Sequence, residues 1–101
     1  MIRGTTPAIT ASVPVDLTGM HCELTLRQGQ TRVILTGDRL TVSAGETSSV
    51  VAFRLTQEET LNFDADKRVY VQIRVATAAG KALASNVMQA SVHDILKDGV
   101  I

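Results

Sequence analysis

Met20, Cys22, Leu24 and Leu26 alternate one for one with His21, Glu23, Thr25 and Arg27, the period of a strand that buries one face and wets the other. The same period runs through Val69, Val71, Ile73 and Val75 against Arg68, Tyr70, Gln72 and Arg74, and more briefly through Val51, Phe53 and Leu55. These three runs predict the core strands. Shorter runs fall at Ala8–Val13, Arg32–Thr36, Arg39–Val42 and Ala84–Val92, divided by turn signals at Pro14–Gly19, Gln28–Gln30, Gly37-Asp38, Ala44–Ser49 and Ala78–Lys81. About seven short strands predict an all-β protein, an immunoglobulin-like antiparallel β-sandwich. The sandwich is expected over residues 8–94, with an N-terminal arm over 1–7 and a C-terminal tail over 95–101. A small, partly open barrel is the competing architecture. The Cys pair bracketing a Trp that marks antibody domains is absent, because the chain has one Cys and no Trp.

One segment breaks the β pattern. Between the Phe53 and Val69 runs, Thr56 and Glu59 have the T-x-x-E spacing of a capping box, which predicts one helical turn near 56–61 with Leu55 and Leu61 anchoring it. Glu58 and Glu59 could also be read as paired catalytic carboxylates, but neighbouring acids on a wet turn are far more often a cap, and the cap is preferred.

Composition agrees with the period: Val, Thr and Ile supply 30 of 101 residues, and branched side chains suit a pleated sheet. Apolar residues make up 45% of the chain, enough for one core, and no run approaches the roughly 20 apolar residues of a membrane span. Ten Lys and Arg balance ten Asp and Glu. That zero net charge lacks the electrostatic footprint of a binder of nucleic acid or anionic membrane, so neither is expected as a partner. Cys22 has no second cysteine to pair with, and no charged segment followed by an apolar one signals export, so synthesis and folding in a reducing cytoplasm are expected.

Chemistry is sparse. His21 and Cys22 are strand neighbours and point to opposite faces, which separates them as a nucleophile and base pair or as joint metal ligands. His93, beside Asp94, is the only other histidine, and no carboxylate spacing suggests a metal site. No phosphate-binding glycine loop or nucleophile elbow occurs. No enzyme activity, cofactor or metal is expected. The aromatics are Phe53, Phe63 and Tyr70, too few for a stacking platform for sugars or single-stranded nucleic acid.

Two regions remain as candidates for contact with a partner. Tyr70 shares an outward strand face with Arg68 and Arg74, a composition typical of protein contacts, although a solvated face with one amphipathic ring fits equally well. The ends are the second: the arm MIRGTTP, with Ile2 and Arg3, is expected to be extended with unpaired backbone groups, and Val100 and Ile101 follow the turn dipeptide Asp98-Gly99. Such ends fray or bind. The run Ala84–Val92 contains no charged residue to protect an open strand edge, so a neighbouring subunit is expected to cover it.

MIRGTTP at 1–7, the proline and aspartate of VPVDL at Val13–Leu17, LTQEETLNF at Leu55–Phe63, VYVQIRVATAAGKALAS at Val69–Ser85 and VHDILKDGVI at Val92–Ile101 together carry a resemblance. Over nearly the whole chain the sequence resembles a family of small proteins from phages and prophages of gut Firmicutes, and its strand pattern is similar to the N-terminal domain of phage baseplate upper proteins. Where that family has an aromatic before the proline, this chain has Ser12-Val13-Pro14 and then Val15, which bears on how the first strand packs. The resemblance implies a virion structural protein of a tailed bacteriophage, made in the host cytoplasm and associated with the baseplate or tail fibre. Its implied partners are other phage structural proteins and copies of itself in a homo-oligomer or symmetric assembly. A capsid decoration protein and a module binding a host-surface glycan or protein are the alternatives. No catalytic residues carry over.

Overall fold

A computed structural model describes residues 1–101. Eight strands form, β1 (Ala8–Val13), β2 (His21–Gln28), β3 (Thr31–Thr36), β4 (Leu40–Ala44), β5 (Ser49–Arg54), β6 (Val69–Ala76), β7 (Ala82–Ala84) and β8 (Met88–Ala90), with one helix, α1 (Gln57–Leu61), between β5 and β6. The strands make two antiparallel sheets: β1-β5-β4, and β3-β2-β6 with β7 and β8 sharing the far edge of β6. In immunoglobulin terms this is B-E-D against C′-C-F-G, with no strand in the place of A. The all-β sandwich expected from the period is therefore the fold.

The alternation decides which side chains meet. Leu24 and Leu26 of β2 lie opposite Ile73 and Val71 of β6, and Val51 and Phe53 of β5 close the core from the other sheet. Phe63, just past α1, plugs one end and is fully buried. Cys22 is buried and His21 exposed, as strand neighbours require, and burial pushes the Cys22 thiol pKa up.

The capping box forms as its spacing predicts: the Glu59 amide donates to Thr56 Oγ1 at 3.1 Å and the Thr56 amide donates to Glu59 Oε1 at 2.8 Å. Arg39 donates to the same Glu59 oxygen at 2.6 Å, tying the Gly37–Arg39 turn between the sheets to α1. Thr56→Ala is expected to cost about 1 kcal/mol in urea unfolding, with Thr56→Ser close to wild type.

Two expectations are corrected. The run Ala84–Val92 is not one strand: β7 ends at the run's first residue and β8 takes only Met88–Ala90. The break opens at Ser85, where a side chain replaces a backbone partner, the Ile73 amide donating to Ser85 Oγ at 3.0 Å and that hydroxyl donating onward to the Asn86 carbonyl. The arm is also not an unpaired extension. Ile2 forms a parallel bridge with His93: the His93 amide donates to the Met1 carbonyl at 2.8 Å and the Arg3 amide donates to the His93 carbonyl at 3.0 Å.

Candidate functional site

Backbone pairing of the arm brings Arg3 over the end of the sandwich, beside the carbonyls that follow α1. Its Nε donates to the Phe63 carbonyl at 2.7 Å and one Nη2 bond goes to the Leu61 carbonyl at 3.0 Å. The remaining donors reach Asp94 at 2.9 Å and Asp98 at 2.8 and 3.3 Å. A guanidinium has five N–H donors, and all of these are used inside the chain. Arg3 is a clasp, its side chain 15% exposed, with no donor left for a partner. This corrects its assignment as a partner-binding residue.

The electrostatics of the clasp are mutual. Hydrogen bonds from Asp98 and then Asp94 raise the Arg3 pKa, while the Ile95 amide and then Arg3 hold the Asp94 carboxyl below its usual value. At Glu59 burial pushes the pKa up, but the bonds from Arg39 and the Thr56 amide outweigh it and the net shift is down. Both groups are depressed in the folded state, so their contribution is complete above the ordinary values of 3.8 and 4.5 and is lost as pH falls through the lowered ones. Urea midpoints should therefore decline below about pH 4.5, and Glu59→Gln should flatten that acid limb.

The other predicted end residues sit on the same end of the molecule. Ile2 is half exposed and paired with His93 through the backbone bridge. Val100 and Ile101 are exposed, and Ile101 is tethered to α1 by Gln57, which accepts its amide at 2.8 Å and donates to its carbonyl at 3.2 Å. They remain an apolar surface with nothing on it.

The strand face is separate from the ends. Tyr70 and Arg74 point outward from β6, with Tyr70 42% exposed, and the exposed Arg68 immediately precedes the strand. Arg68 donates to Gln89 of β8, and Arg74 lies opposite Glu23 of β2. Tyr70 borders a depression of about 290 Å³ whose other walls include Arg27 and Arg32, two arginines that the sequence reading did not single out. The signal was available in R-Q-G-Q-T-R: read as a two-residue hairpin at Gly29-Gln30, it places position 27 opposite 32.

A third feature lies where strand A would be. Between the free edge of β1 and the β7–β8 edge is a cleft of about 340 Å³, lined by Val13, Val15, Leu83 and Met88 and reaching down to Ile73 and Val75. No charged side chain lines it. Elsewhere no group of three His, Cys, Asp or Glu side chains gathers in metal-binding geometry, and no helix is long and apolar enough to cross a membrane. Comparison with protein-family models, with curated proteins and with solved structures finds no match to this chain.

Proposed function

We propose that the chain is a structural protein of a tailed-phage particle, associated with the baseplate or tail fibre, that joins copies of itself or other phage structural proteins through a sheet edge. The observation that carries this reading is the free edge of β1: the strand bonds to β5 on one side only, and the uncharged apolar cleft opens beside its last residues, Ser12 and Val13. Unpaired backbone groups next to apolar pockets are what a donated strand needs, the backbone supplying affinity and the pockets selecting alternate side chains. The broken β7–β8 edge serves as the opposite wall. No reaction is assigned to the protein, and the clasped arm holds its own domain together instead of reaching into a neighbour.

A mass-spectrometric inventory of purified particles tests the assignment, with the intact chain expected in multiple copies; its absence would overturn the structural role. A particle map would then separate tail and baseplate positions from a capsid surface. Thr10→Lys with Ser12→Lys, both on exposed positions of β1, should leave thermal stability within a few degrees yet reduce incorporation, since charge on an edge strand opposes pairing. Normal incorporation of that variant would reject the β1 edge as the joint.

A further inference from the structure

The chain is neutral overall, but one face is not. On the outward side of the larger sheet stand Arg27, Arg32, Arg68 and Arg74, against a single carboxylate, Glu23. Arg74 has the carboxylate Glu23 opposite it, without an ion pair or hydrogen bond between them, and Arg68 donates to Gln89. Arg27 and Arg32 have neither: they are direct cross-strand partners in the β2–β3 hairpin, and neither guanidinium makes an ion pair or hydrogen bond within the chain. Like charges placed directly opposite each other destabilise an antiparallel pair.

What surrounds the pair is specific. Tyr70 lies opposite Arg27 on the other side, so the row across the sheet runs Arg32, Arg27, Tyr70. Thr25, Gln72 and the exposed Val87 complete the depression, and Ile34, also exposed, sits opposite Thr25 at its rim. Two free guanidinium groups, an exposed ring and two exposed aliphatic side chains are complementary to a ligand with carboxylates and apolar groups a few ångströms apart.

We infer that this depression binds an acidic segment of a partner polypeptide, a carboxylate bridging Arg27 and Arg32 while an apolar neighbour packs on Tyr70 and Val87. Bidentate guanidinium–carboxylate bonding suits the planar fork of arginine, and the incoming charge removes the repulsion the free hairpin carries. A nucleic acid or polysulfated sugar fits less well. Both need a continuous basic stripe, and a single-stranded nucleic acid needs several stacking rings as well, whereas this face has one exposed ring and Glu23 interrupts its charge. The inference stands on the sheet face alone and is independent of the proposed place in a virion.

The test uses the full chain and a fluorescein-labelled peptide, Glu-Leu-Glu-Glu-Leu-Glu, followed by anisotropy. Saturable binding is expected at about 50 mM salt and should weaken strongly by about 300 mM. Arg27→Gln with Arg32→Gln should weaken it by about ten- to a hundredfold, Tyr70→Ala should weaken it as well, and Lys97→Gln should leave it unchanged. In the free protein Arg32→Gln should raise the melting temperature by a few degrees, as relief of like-charge repulsion requires. Absence of saturable binding, equal affinity in the double arginine variant, or a melting temperature that falls in Arg32→Gln would overturn the proposal. Tighter binding of oligothymidylate or dextran sulfate than of the peptide would reassign the face to another polyanion. Concentration-dependent self-association abolished by the double variant would reassign it to a second copy of this chain.

Discussion

Arg3→Ala is expected to lower stability by about 3 kcal/mol, a change that for a domain of this size moves the melting temperature by roughly 12–24 °C. The substitution strips two backbone carbonyls, those of Leu61 and Phe63, of their charged donor and leaves Asp94 and Asp98 side by side without a counter-ion. Arg3→Lys should recover only part of the loss, because an ammonium cannot reach both carbonyls and both carboxylates from one planar fork. Chemical unfolding of the three proteins checks this, and near-identical midpoints would show that the clasp is an exposed surface cluster of little weight. The same reasoning applies to the arm as a whole: deleting it should destabilise the domain, where a frayed extension would have been neutral.

The second large effect is expected at Gln28. Its side chain is buried at the end of β2, with Oε1 accepting the Asp64 amide at 2.6 Å and Nε2 donating to the carbonyls of Asp64 at 2.9 Å and Lys67 at 3.3 Å. Gln28→Leu keeps the volume but leaves those backbone groups without partners, at a cost of about 3 kcal/mol. Gln28→Glu should also be destabilising, since a carboxylate can accept from the amide but cannot donate to the carbonyls. Because the loop from Asp64 to Lys67 includes Asp66 at φ +63°, a left-handed conformation uncommon outside glycine, faster proteolysis in that loop is the expected local readout of either variant.

Gln28 also marks where the sequence was legible and where it was not. Its position continues the inward series Cys22, Leu24, Leu26, so the period alone places it inside; its polarity and the following glycine made it read as turn. Alternation was reliable wherever one strand face is buried and the other wet, which covers β2, β5 and β6. The capping box was equally readable, because its chemistry is local to Thr56–Glu59. The clasp was not. Arg3 and Asp98 lie far apart in the chain, and nothing in MIRGTTP indicates that a distant carbonyl cluster awaits the arginine. The split of the last strand depends on one hydroxyl at Ser85 displacing a backbone bond, a competition that composition does not reveal. The facing of Arg27 and Arg32 was hidden only by counting the hairpin loop as three residues.

The vacant A position also has a kinetic meaning. Only the β2–β3, β4–β5 and β6–β7 hairpins pair residues close in sequence, whereas β1 cannot bond until β5, some forty residues later, is in place. Loop closure therefore makes β1 a late arrival. Once docked it is held by one neighbour, with no outer strand to lock it in place. Local opening should begin there, baring Val13 and the pocket beside it while the rest of the sandwich stays closed, so the strand that arrives last is also the one the folded domain can most cheaply lend to another chain.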